Sequence, residues 1–105
     1  MTKTERIMTL NPDGKQGVNI DVLKYEQIKE FILHKLEELS EVTFQDLTDM
    51  AVDELSDFFE GKVVWYMVTV KLDLEARNLI ERIPKTSPHK LRLLNPDNPT
   101  REESR

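Results

Sequence analysis

Residues 63–77, VVWYMVTVKLDLEAR, constrain the fold more than any other stretch of the chain. The first half is rich in β-formers and suits a buried strand. The run nevertheless continues without Gly or Pro into strong helix formers, past the roughly 10 residues that strands seldom exceed. The segment therefore reads as a helix, with Val63, Tyr66, Met67, Val70 and Leu74 on one face. Asn78 then stands where a left-handed C-terminal residue is wanted. Advancing about 100° per residue, the opposite face presents Trp65, Val68, Leu72 and Ala76, flanked by Val64 and Thr69. A helix that is apolar all round is expected to be buried on both sides.

The neighbouring segments fall into place around this helix. Asp21 is a good N-cap, and Val22, Tyr25, Ile28, Ile32, Leu36 and Leu39 form one stripe of a first helix ending near residue 39. Leu23, Phe31 and Leu33 lie off that stripe. Residues 41–43 read as a short edge strand. Thr43 can cap a second helix, with Asp46 three residues on. Phe44, Leu47, Ala51, Leu55 and Phe58 are its expected buried stripe, closed by Gly61. After Asn78, residues 79–83 and 89–94 are short apolar runs around the Pro- and Ser-containing turn 84–88, which predicts a β-hairpin.

The order is helix, short strand, helix, helix, hairpin. This is an α+β chain, mainly α, in the arrangement of a winged helix: a helix-turn-helix core with a hairpin wing, the short strand completing a small sheet. The expected domain spans residues 21–94. Residues 1–20 are polar and rich in turn formers, with a tight turn at Asn11-Pro12-Asp13-Gly14, and read as an extended N-terminal arm. Residues 95–105 carry two prolines and a charged end, and read as a disordered tail.

Two resemblances accompany this reading. The stretch from Leu72 to Ile83 resembles the junction between recognition helix and wing in bacterial winged-helix regulators. More of the chain looks like a family of small bacterial proteins of unknown function: Asn11-Pro12-Asp13-Gly14-Lys15, residues 17–21, Tyr25, Trp65-Tyr66 and residues 69–77. That family is thought to adopt the winged-helix fold. The resemblance implies this fold and a bacterial cytosolic setting, and it implies no activity.

Bulk properties narrow the chemistry. At 105 residues there is room for one core. No cysteine is present, which excludes disulfides and thiolate zinc sites. No stretch reaches the roughly 20 apolar residues of a membrane span, and the first residues lack the core of a signal peptide. The expected setting is cytoplasmic. His34 and His89 are the only histidines, and His34 reads as an ordinary solvated residue. Asp46, Asp49, Asp53, Glu54 and Asp57 read as a solvated acidic face of the second helix, because no loop brings their oxygens to convergence. Residues 11–15 have a single glycine and no phosphate-loop pattern. The chain is expected to be no enzyme, with no cofactor, metal or small-molecule substrate.

Two roles remain. A winged helix can place its third helix in the major groove and its wing along the phosphates, as a DNA-binding transcriptional regulator. Candidate contacts to duplex DNA are Lys62, Thr69 and Lys71 on helix three, with Arg82, Lys85, His89, Lys90 and Arg92 on a hairpin free of intervening acids. The net charge of −5 and the acidic second helix weigh against phosphate binding. The alternative is a protein-interaction module using Val64, Trp65, Val68, Leu72 and Ala76. The N-terminal arm could fold across this face, a second copy could pack there, or both.

Overall fold

A computed structural model describes residues 5–94 of the chain. The order of elements is β1 (Arg6–Leu10), β2 (Gln16–Asp21), α1 (Val22–Leu39), β3 (Glu41–Thr43), α2 (Phe44–Leu55), α3 (Val63–Ala76), β4 (Ile80–Ile83) and β5 (Lys90–Leu93). About half of the described residues are helical, and the strands make two small antiparallel sheets, β1-β2 and β3-β5-β4. The expected tail at 95–105 lies outside the described residues.

Helix α1 begins where the Asp21 carboxylate accepts from the Lys24 amide at 3.1 Å. Tyr25, Ile28, Ile32 and Leu36 are buried, while Leu39 at the end of the expected stripe is exposed. Ser40 closes the helix at φ 73°, its amide donating to the Leu36 carbonyl. Val42 of β3 enters the core opposite Leu91 of β5. Thr43 caps α2 by accepting from the Asp46 amide at 3.0 Å.

Helix α2 stops at Leu55 and does not run to Gly61. The Phe59 amide still bonds the Leu55 carbonyl, but the chain then leaves helical register. Phe58, expected inside, is 63% exposed, and Phe59 takes its place at 5%. The Phe59 ring meets Tyr66 edge-on at 5.1 Å, and Gly61 turns the chain into α3 at φ 125°. A Cβ on Gly61 would press on the Tyr66 ring, so this turn needs glycine for space as well as for backbone sign.

Helix α3 is the centre of the molecule. Val63, Met67, Val70 and Leu74 face the core formed with α1, α2 and the β3-β5-β4 sheet. Asn78 adopts the expected left-handed conformation, φ 63°, after the last turn. Strands β4 and β5 then pair in register, Ile80 with Leu93 and Arg82 with Leu91, and the buried Ile80 and Leu91 close the core from below.

The expected extended arm is instead a β-hairpin. Its turn is closed by the Gly14 amide to the Asn11 carbonyl, 3.0 Å, and the Asn11 amide to the Lys15 carbonyl, 3.1 Å. The ladder is irregular between Met8 and Leu10. There the Thr9 side chain stands in for a backbone partner, donating to the Val18 carbonyl and accepting from the Val18 amide. Ile20 joins the core, Ile7 packs against it, and Met8, Leu10 and Val18 are left exposed.

Gly17 makes this exchange possible, because a Cβ there would collide with the buried Thr9 hydroxyl and crowd its carbonyl. Gly17→Ala is expected to lower stability by about 1–3 kcal/mol, the usual cost of overpacking. Urea unfolding of the two proteins measures the difference.

Candidate interaction surface

The faces of α3 are occupied unequally. One flank, Tyr66 and Asp73, turns towards α1. Asp73 is fully buried, and three donors meet its carboxylate. The Tyr25 hydroxyl donates at 2.5 Å, the Leu10 amide at 2.9 Å, and Arg77 Nε to both oxygens at 2.8 and 2.9 Å. Burial first, and then the hydrogen bond to Asp73, push the Tyr25 phenol well above its usual range, so it stays a donor. This cluster fastens the N-terminal hairpin to α1 and α3 together.

The outward face carries Val64, Trp65 and Val68, exposed to 52%, 45% and 42%, with Leu72 and Ala76 half-buried further along. Val64, Val68, Leu72 and Ala76 stand four residues apart and form one continuous ridge. The Trp65 indole leans edge-on against Tyr66 at 4.9 Å. The hairpin lies beside the ridge and leaves a shallow groove of about 180 Å³ lined by Leu10, Val18, Trp65, Thr69 and Leu72, among others. The hairpin therefore flanks the indole without covering it. Met8, Leu10 and Val18 extend the apolar surface beyond the helix.

The residues considered for DNA contact are scattered and mostly engaged. Lys71 is directed inwards, 4% exposed, paired with Glu75 at 2.9 Å and seated over the Phe44 ring at 5.2 Å. That placement corrects its reading as a phosphate contact. Arg82 reaches Glu75 at 3.6 Å, Lys90 reaches Glu41 at 3.4 Å, and Arg92 reaches Glu81 at 2.6 Å. The hairpin has no acid between its own cations, but the folded sheet supplies acids from the neighbouring strands and α3. Glu81 is the cross-strand partner of Arg92, and so is Glu41 on the other side. Such exposed pairs add little stability, about 0–1 kcal/mol each, yet they oppose charges that phosphates would need.

His89 stacks on Phe44, the ring centroids 6.1 Å apart and the planes 12° from parallel. Burial first, and then the positive charges of Lys71 and Arg82, lower its pKa, so it is the neutral imidazole at pH 7. Thr69 lines the hairpin groove. Lys62 at the start of α3 and Lys85 in the hairpin turn are exposed, and among the described residues no ion pair engages either.

Sequence reasoning found the apolar ridge but missed the carboxylate beneath it. Asp73 and Arg77 are four residues apart, which flags an ion pair. Nothing in the spacing announces that the pair is covered by the hairpin.

Among the described residues, no helix is long and apolar enough to cross a membrane. No curated protein and no solved structure matches the chain. A family model matches residues 6–91, from the first residue of β1 into β5, so the hairpin, the ridge and the buried carboxylate all fall within the matched unit. The chain belongs to the family of unknown function DUF6958.

Proposed function

We propose that residues 21–94 form a winged helix that is not an enzyme, and that its third helix is an interface for a second copy of the chain rather than a reader of bases. The winged-helix reading is supported by the order α1, β3, α2, α3, β4, β5 and by the sheet order β3-β5-β4, which sets the strand between the first two helices beside the hairpin.

The observation that carries the functional reading is the uncharged ridge of α3, its large side chains left in water while every other face of the helix is packed. A major-groove helix presents Arg, Lys, Asn, Gln, Ser or Thr to base edges. This one presents Val, Trp and Leu. Side chains four residues apart make the ridge that packs into the groove of a facing helix. An identical ridge is the natural partner, because a two-fold contact joins apolar to apolar and leaves no charge buried without a counter-charge. Fully covering one large apolar side chain contributes about 1.5–3 kcal/mol, and since Trp65, Val68 and Leu72 are already partly covered, each gains roughly half of that when two copies meet.

Sedimentation equilibrium checks this directly. The wild-type chain is expected at twice its 12.3 kDa mass and Val68→Asp at 12.3 kDa, with unchanged helical circular dichroism. Val68 is partly exposed, so the substitution strikes the contact and spares the fold. Monomeric wild type that binds duplex DNA with steep salt dependence, lost in Lys62→Ala with Lys85→Ala, would replace this reading with that of a DNA-binding regulator.

A further inference from the structure

The α3 ridge has two flanks, and they differ in charge. On the side of α2, Val64 borders a concavity whose wall includes Val52 and Asp49. Asp46 and Asp53 are exposed about one turn to either side of Asp49 on the same helix. On the side of the N-terminal hairpin runs the groove of about 180 Å³ between Val18 and Trp65. It continues past Leu10 and Asn11 into a hollow of about 290 Å³ that reaches Lys15 and Ala76. The hairpin thus walls α3 from Trp65 to Ala76, and the lining of that length holds one charged side chain, Lys15.

The ridge alone is too small for a stable contact. A helix of 14 residues is about 21 Å long, and at about 10 Å wide its outward strip covers roughly 200 Å². Stable interfaces bury about 800 Å² on each partner. The apolar surface that continues the ridge across the groove belongs to the hairpin, where Leu10 and Val18 are 37% and 40% exposed.

That second wall is set in advance. The Leu10 amide donates to Asp73 at 2.9 Å, Arg77 donates to the Met8 carbonyl at 3.4 Å, and the Thr9 hydroxyl holds both backbone groups of Val18. A surface that is already fixed loses little freedom on being covered.

Resting on the reading of α3 as a contact between copies, we infer that the N-terminal hairpin is the other half of that contact. A second copy covers the groove together with the ridge, buries Leu10 and Val18 of each chain, and leaves the acidic flank of α2 outside. Charge selects this side. Each chain carries a net charge of −5, and the centres of interfaces are depleted of charged groups. A two-fold contact duplicates whatever lies in it. On the α2 side it would set the Asp49 carboxylates of two acidic chains into one closed contact. On the hairpin side it brings apolar side chains together.

Sedimentation equilibrium of the full chain, with one variant on each flank, tests this. Val18→Asp is expected to weaken self-association at least about tenfold, because it places an uncompensated charge in a closed apolar contact. Val52→Asp, on the α2 flank, is expected to change it by less than about twofold. Dilution of the wild-type chain, followed in ¹H–¹⁵N correlation spectra, gives a reading that needs no variant to fold: the amides of Leu10 and Val18 should shift together with those of Val64 and Val68. Three results overturn the inference and leave the reading of α3 standing, provided that the wild type dimerises and Val68→Asp does not. They are undiminished association of Val18→Asp, dilution shifts confined to α3, and a loss in Val52→Asp as large as that in Val18→Asp. A monomeric wild type overturns both.

Discussion

Asp73→Ala is expected to destabilise the chain by roughly 2–5 kcal/mol, measured by urea unfolding. The basis is the number of donors that lose their acceptor. Tyr25 Oη and the Leu10 amide both depend on this carboxylate, and each buried donor left unmet costs about 1–3 kcal/mol. Arg77 retains solvent access, with its side chain 35% exposed, so its stranded charge adds less. The loss should be accompanied by faster amide exchange in β1 and β2, because the Leu10 bond to Asp73 ties that hairpin to the helices. Tyr25→Phe should cost about 1 kcal/mol, since it removes one hydrogen bond and leaves Asp73 still held by Arg77 and Leu10. A similar loss in both variants would mean that the phenol, and not the whole cluster, carries the contribution.

Leu74→Ala should cost about 2–5 kcal/mol, with the upper half of that range favoured by its position. The side chain is fully buried in the last turn of α3, within the core cluster that also holds Ile28 and Ile32 of α1, Ile80 of β4 and Leu91 of β5. Rigid elements on several sides leave little freedom for the neighbours to collapse into the space. Far-ultraviolet circular dichroism before unfolding should be unchanged, because alanine is the better helix former and the loss is one of packing. Together, the two substitutions separate the contributions of a polar clamp and an apolar core that meet at adjacent positions of one helix.

How far the fold was legible depended on whether the determining contact was local. The α1 stripe from Tyr25 to Leu36, the Thr43 cap, the helical course of residues 63–76 and the left-handed Asn78 each follow from a few neighbouring residues, and each stands in the structure. The N-terminal hairpin did not announce itself, because its strands are short and its ladder breaks at Thr9, where a side chain replaces the backbone. Phe58 and Phe59 exchanged places for a related reason: periodicity carries the pattern forward only while the helix lasts, and α2 ends at Leu55.

The candidate surface divides in the same way. The ridge was visible because helical spacing alone brings Val64, Val68, Leu72 and Ala76 into line. The charges were not, because Glu41 and Glu81 meet their cations only through strand pairing, and Glu75 meets Arg82 only where β4 packs back against α3. Lys71 was misplaced because helical arithmetic does not decide its side. At about 100° per residue it falls on the border between Met67 of the core stripe and Val64 of the ridge, and its contacts with Phe44 and Glu75 decide that it turns inwards.

Trp65 is the sole tryptophan of the chain, so its fluorescence reports on the ridge alone. If two copies of α3 meet there, wild-type emission will lie well to the blue of Val68→Asp emission and resist quenching by iodide, since only the paired ridge takes the indole out of water. Coincident spectra and equal quenching in the two proteins would show an indole that no neighbour covers, and the account of α3 as a contact between copies would be wrong.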